Sequence, residues 1–435
     1  MILPLPQVTN RSNWDISRSP GSKAPRRHEK ESRGSSRLQS WGGIACFELN
    51  KELFVCKHII DAVKTKARYT YRIYPNAVQK QVLAKTFGCA GYVYNWALGL
   101  RKEEPMTYGE SSARLTAHTK EDSWLGEVSC VPVQQALKHL NTAFKNMKHR
   151  RGFPRFKSKK HRQTAEFTVS GFKLKSNKLQ LGKISGLVRV RWSRELPSAP
   201  STATVILDPD GRYFVTFCVD VIPVKLPATT KQVGIDLGLT DFFVTSDGLK
   251  TGNPRYFNKL ERKLARAQRK LSGKTKGSRN QEKQRLRVAR IYLRIRDRRK
   301  DFLDKLSSNL VQEYDLIVIE DLSVANMLKM RSLAKAISDA SWSQFAGMLE
   351  YKCAWYGKTC VRVNPAYTSR TCSECGCIAT SMPLHVREWT CACGAEHDRD
   401  VNAAVNMWAA GQAVWHNTSP DASGGDVRPR LASAA

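Results

Sequence analysis

The chain has 435 residues, with 72 Lys and Arg against 38 Asp and Glu, a formal charge of +34 and a pI near 9.9. That length allows two or three domains with ample core, and that charge calls for a polyanion, nucleic acid being the usual one. No apolar run approaches the ~20 residues of a spanning helix, and the 12 cysteines include close pairs that fit metal binding in a reducing cytosol better than a disulfide framework.

Residues 1–63 read as an extension. Its stretch Thr9 to Arg37 is rich in Ser, Arg, Lys and Pro, so disorder is expected for part of it, and no signal-peptide core is visible. Tyr69 to Tyr74 alternates and is β-rich, predicting a strand. Pro75 and Asn76 then open a helix, with Val78, Val82, Leu83 and Phe87 on one face. A second helix is expected near Gly91 to Arg101 and another over Val131 to His149. The loop R-R-G-F-P-R-F-K follows. Its Arg151, Arg155 and Lys157 can neutralise phosphates, and Phe153 and Phe156 can stack on unpaired bases. Six short strands punctuated by Ser176-Asn177 and Asp210-Gly211 then predict a small barrel or sandwich up to Val219.

From Gln232 the pattern changes to apolar strands alternating with helices, the signature of a buried, mostly parallel sheet. Q-V-G-I-D-L ends in Asp236, and L-I-V-I-E ends in Glu320. Between them, Lys259 to Lys300 is helical, broken at Gly273 to Ser278, with 18 Lys or Arg against 3 acidic residues. That excess is too one-sided for an ordinary solvated face, so Lys263, Arg266, Arg269 and Lys270 are expected to meet a nucleic-acid backbone. The paired cysteines Cys372 and Cys375, then Cys391 and Cys393, have the spacing of a four-thiolate structural zinc site. They lead into H-D-R-D-V-N-A-A-V-N, where Asp400 begins a helix beside Asp398; after Gly411 a frayed tail is expected. Three carboxylates gathered at strand ends would be costly unless divalent cations neutralise them, and hard oxygen ligands suit Mg²⁺. Taken singly, each has a plainer role: a turn residue, a solvated strand end or a helix cap.

At these residues the chain closely resembles TnpB, the RNA-guided nuclease of bacterial insertion sequences related to the type V CRISPR effectors. The matching stretches are Y-R-I-Y-P-N-x-x-Q (71–79), F-G-x-x-x-x-x-Y-N (87–95), G-F-P-R-F-K (152–157), G-I-D-L-G (234–238) and V-I-E-D-L (318–322). Y-T-S-R-T-C-S-E-C-G (367–376), V-R-E-W-T-C-A-C-G (386–394) and D-R-D-V-N-A-A-V-N (398–406) complete the set. The resemblance implies an α/β chain with a small β-barrel. Its RNase H-like RuvC domain would carry a zinc-ribbon insert and follow a wedge barrel interrupted by a helical recognition insert. The implied order is a first wedge strand (64–76), helical insert (77–150), wedge barrel (151–226), RuvC-like domain (227–366) with a basic arm (259–310), zinc-binding target-nucleic-acid segment (367–395), last RuvC motif and helix (396–410) and tail (411–435). It further implies that Asp236, Glu320 and Asp400 are catalytic and hold Mg²⁺, with Asp398 left open as the alternative to Asp400. The four cysteines would hold Zn²⁺, with Cys377 an alternative ligand because the second pair is C-x-C. The implied partners are a guide RNA from the transposon end and double-stranded target DNA with a short adjacent motif, in a cytoplasmic, nucleoid-associated bacterial protein. A nuclease-inactive RNA-guided regulator and a transposase acting directly on DNA ends are the competing readings.

Overall fold

The computed structural model describes residues 64–147, 152–159, 161–383 and 385–418. The expected extension 1–63, Arg151 and most of the expected tail lie outside the described residues.

The first strand, β1 (Thr65–Tyr74), ends at Pro75, and Asn76 opens α1 (Ala77–Glu103). The Asn76 side chain accepts from the Gln79 N–H at 2.8 Å, and Gln79 returns its carbonyl to the Asn76 N–H at 3.0 Å. This is a capping box. Buried Gln79 also donates to the Ser185 carbonyl at 3.1 Å, so one side chain starts the helix and pins it to the barrel. α1 is a single 27-residue helix, where two had been expected: Gly88 and Gly91 do not break it, because buried residues on either side of them hold it. The stretch after it contains an unforeseen helix, α2 (Tyr108–Glu121), with its own capping box from Thr107 and Glu110. With α3 (Cys130–Met147) these helices close a core of their own around Val93, Leu98, Leu115, Leu137 and Leu140.

Six further strands follow: β2 (Gln163–Thr168), β3 (Phe172–Lys175), β4 (Lys178–Leu181), β5 (Val188–Arg191), β6 (Thr202–Leu207) and β7 (Tyr213–Val221). Their order is β2-β6-β7-β1-β5-β4-β3, antiparallel throughout. The two outer strands β2 and β3 are joined by only Val169–Gly171. So short a joint forces the sheet's two edges together at that corner, and the sheet is nearly a closed barrel. One core fills it, and Phe172 of edge strand β3 comes within 6.2 Å, ring to ring, of Phe217 in β7.

The second sheet holds β8 (Gln232–Leu237), β9 (Asp241–Thr245), β10 (Lys250–Gly252), β11 (Leu316–Glu320) and β12 (Thr359–Val363) in the order β10-β9-β8-β11-β12. β8, β11 and β12 run parallel, β9 runs antiparallel to β8, and β10 runs antiparallel to β9, so the sheet is mixed. On one face lie α5 (Arg279–Glu313) and α8 (Trp342–Tyr356), sealed by Leu303, Val311, Phe345 and Leu349. Two short helices, α6 (Val324–Met327) and α7 (Ala334–Ala340), precede α8. On the other face lies α9 (Arg399–Thr418), which buries Ala403 and Met407 against Leu316, Val318 and Val363. α9 seats flush because the sheet offers Gly234: a β-carbon there would collide with the Ala404 carbonyl and Trp408. The helix runs on to Thr418, past Gly411, where fraying had been expected. Gly411 faces Val318 closely enough that any side chain would clash, so packing rather than composition decides. α4 (Tyr256–Ser272) folds back on α5 as a basic hairpin arm, stitched by Gln284 donating to the Ala267 carbonyl at 2.9 Å. Among the described residues no helix is long and apolar enough to cross a membrane.

Candidate functional site

The parallel register pairs Ile235 with Ile319. One residue further, Asp236 and Glu320 stand side by side at the ends of adjacent strands. Glu320 is buried and accepts from the Leu237 N–H at 3.2 Å. Burial pushes the Asp236 carboxyl well above its usual range. The hydrogen bond and charge of Glu320 push it further, as does the charge of Asp400, while Arg399 opposes them. Two carboxyls so placed cannot both ionise easily, so they share a proton or meet a cation. α9, lying across β8, brings Asp400 to the same end of the sheet.

Asp398 and Asp400 have different neighbours. Asp398 Oδ1 accepts from the Asp400 and Val401 N–H groups at 3.1 and 3.0 Å, so it caps α9, and its other oxygen is paired with Lys250 of β10. Burial would raise Asp398, but Lys250 and those N–H groups hold it below the usual carboxylate range. Asp400 instead receives Arg387 Nη1 on both oxygens, at 3.1 and 3.0 Å. Among the described residues the three acids are not drawn to within 4.8 Å of one another at their ligand atoms; only one cluster is.

That cluster is Cys372, Cys375, Cys391 and Cys393. Cys372 Sγ lies 3.8 Å from Cys393 Sγ, and Cys375 Sγ lies 3.6 Å from Cys391 Sγ. Four sulfurs about 2.3 Å from a tetrahedral centre would be about 3.8 Å apart, so the tetrad has the dimensions of a four-thiolate metal site. Cys377 is outside it; its carbonyl accepts from the Cys372 N–H. Gly376 and Gly394 follow the pairs at φ 77° and 89°, the left-handed turn each knuckle needs. His397 Nε2 sits 3.0 Å from Cys372 Sγ. The knuckle is tied to α9 by Asn402 and Asn406, which both donate to the Thr371 carbonyl, at 2.8 and 2.7 Å. The two asparagines one turn apart in V-N-A-A-V-N thus join the cysteine cluster to the helix that carries Asp400.

The expected nucleic-acid residues fall in two places. Lys263, Arg266 and Lys270 line a groove of about 390 Å³ between α4 and α5, facing Arg287, Arg290 and Arg294; Arg269 is exposed outside it. In the loop 152–159, Asn95 exchanges hydrogen bonds with the Lys157 backbone at 3.0 and 2.7 Å, docking the loop on α1. Phe153 and Phe156 are exposed, with the Lys102 ammonium 5.8 and 4.6 Å from their ring centroids. Arg155 is exposed, and the Lys157 ammonium lies over the Tyr94 ring, 4.2 Å from its centroid. Sequence reading missed Lys250, Arg387 and Arg399 around the acids. Arg387 stands in a quoted stretch, but nothing local marks its partner, and Lys250 meets Asp398 across 148 residues.

The fold and site define an α/β chain in which strand-end carboxylates, a four-cysteine knuckle and a basic helical arm accompany a second, nearly closed sheet. A family described as "Probable transposase" matches residues 216–331, and one described as "Cas12f1-like, TNB domain" matches residues 342–407. A third, described as a helix-turn-helix domain, matches 65–105, where this chain forms β1 and the single helix α1. A "Putative RNA-guided DNA endonuclease" of Streptomyces pristinaespiralis is 47% identical over 385 residues, covering 85% of this chain and 94% of that protein. "Putative RNA-guided DNA endonuclease InsQ" of Escherichia coli K12 is 30% identical, covering 81% and 94%. A solved structure, the Cas12f1–sgRNA–target DNA complex, overlaps with a TM-score of 0.48 at 12% identity, covering 79% of this chain and 98% of that one. The chain belongs to the TnpB family.

Proposed function

We propose that this protein is an RNA-guided DNA endonuclease whose second sheet is an RNase H-like RuvC domain. The observation that carries the reading is the side-by-side placement of Asp236 and Glu320 on parallel strands, with Asp400 brought over them by α9. The strand order β10-β9-β8-β11-β12, in which only β9 runs against the others, supports the RNase H-like reading of this sheet. Asp236, Glu320 and Asp400 are the hard-oxygen donors that Mg²⁺ takes, and the cysteine tetrad fits Zn²⁺ in charge and spacing. Divalent ions at the acids would supply an activated water and stabilise the leaving oxygen of a phosphodiester.

The protein's own part is positional. Burial and the neighbouring Glu320 favour the neutral form of Asp236, and positive charge arriving beside it would favour the carboxylate. Arg387 and Arg399 place cationic groups beside the acids, where a phosphate backbone would enter. The groove between α4 and α5 offers six cationic side chains to a sugar–phosphate strand. Filled acid positions favour an enzyme over a non-cutting regulator.

The test is to co-express the chain with its flanking DNA, sequence the RNA that co-purifies, and add Mg²⁺ with plasmids carrying a matching target beside a randomised flank. A defined RNA with selective loss of one flank class is expected. Bound target that is never cut would sink the enzyme reading in favour of a regulator.

A further inference from the structure

Above the docked loop lies a cleft of about 650 Å³ between α1 and residues 156–159 and 161–164. That is the size of an ordinary small-ligand site. Its walls are aromatic: Tyr92, Trp124 and Phe156 line it and are exposed by 38%, 39% and 53%. Tyr92 and Trp124 meet edge to face at 5.0 Å, and the Tyr92 hydroxyl and His118 Nε2 hydrogen-bond at 3.0 Å, so both rings are held in place. Its floor is bare helix backbone. Gly88 and Gly91 lie one turn apart on α1, and nothing in the protein comes within 4 Å of where their side chains would be. Its rim carries His161 and the cationic side chains of Lys159 and Arg162, the latter reaching Asp208 with its Nε at 3.0 Å. Large rings left open to solvent beside phosphate-binding charges are the arrangement that grips an unpaired base and its backbone.

We propose that this cleft takes one unpaired nucleobase, sandwiched between Trp124 and Phe156, with its flanking phosphates on Lys159 and Arg162. The inference rests on the reading of the chain as a nucleic-acid binder and adds to it a site for a single-stranded segment. That segment is either part of the bound RNA or DNA displaced from a duplex, and the chemistry is shared.

The experiment uses the full chain stripped of nucleic acid, with oligonucleotides carrying 2-aminopurine at an internal position. Single-stranded RNA, single-stranded DNA and the matching duplex are titrated separately. Stacking should quench the fluorophore in a single strand and not in the duplex, and whichever of RNA or DNA quenches more names the source. Trp124→Ala should abolish the quench and weaken single-strand binding by about 5- to 150-fold, and Trp124→Phe should restore most of both. Gly91→Leu, which favours the helix while filling the floor, should do the same as Trp124→Ala. Tight single-strand binding with no quench, or a quench that survives both disabling variants, overturns the pocket alone. Failure of every oligonucleotide to bind overturns the nucleic-acid reading as well.

Discussion

Asp398 and Asp400 are two residues apart, and their surroundings separate their roles. Asp398 is committed to the first turn of α9 and to Lys250, whereas Asp400 faces Arg387 and adds its charge to the buried pair. Asp400→Ala, like Asp236→Ala and Glu320→Ala, should therefore lower cleavage by roughly a hundredfold or more while sparing RNA binding. Asp398→Asn should cost about 1 kcal/mol of stability through the cap and leave cleavage within about tenfold. A plasmid-cleavage time course on the four variants checks this, and full activity of Asp400→Ala would move the assignment to Asp398. At the cysteine cluster, Cys391→Ser should abolish stoichiometric zinc in the purified chain, whereas Cys377→Ser should leave it, as elemental analysis would show. Burial opposes ionisation of Cys372, yet backbone N–H groups and His397 bring it down to about 6, so it is a ready ligand.

At the scale of elements, the strands were legible where apolar runs stop at turn residues, as at Gln232–Leu237 and Leu316–Glu320. The division of α1 at Gly91 was misread because propensity ignores the packing that holds the helix on both sides. The pairing of Arg387 with Asp400 could not be read, since spacing carries no information about side-chain partners. Nor does any sequence period announce how closely α9 approaches β8. Gly234→Ala, a substitution harmless in most strands, should cost about 1–3 kcal/mol by overpacking and displace Asp400; urea melts and cleavage should fall together. A second element-level test concerns the start of the sheet. Asp315 accepts from the Thr229 and Thr230 N–H groups at 2.8 and 2.7 Å and pairs with the buried Lys358. Burial raises its carboxyl, but Lys358 and those N–H groups hold it below the ordinary value. Folding thus favours its charged form: the contribution is complete above the unfolded value of about 3.9 and is lost as pH falls through the depressed folded value. Asp315→Asn should cost about 2 kcal/mol at pH 7, and the difference from the parent should vanish towards pH 2.

For the whole molecule, charge is the organising quantity. The α4–α5 groove and the cleft on α1 both carry cationic side chains, so binding should depend steeply on salt. Replacing Lys263, Arg266 and Lys270 with Gln should reduce the slope of log affinity against log salt by about 2–3, measured by fluorescence anisotropy across salt concentrations. An unchanged slope would remove the arm from the interface. The second sheet shows why this scale was the hardest to foresee: its acids come from segments far apart in the chain, and only the parallel pairing of β8 with β11 and the seating of α9 bring them to one end.

That seating has a consequence for the order of synthesis. Asp236 and Asp400 are separated by roughly 160 residues, which a ribosome needs about 10–30 s to add. During that interval a nascent chain carries the first acid, later also Glu320, but not the helix that completes the set. An interrupted translation product ending before α9 would keep the basic arm and lack Asp400, so on the proposed reading it would hold nucleic acid and not cleave it.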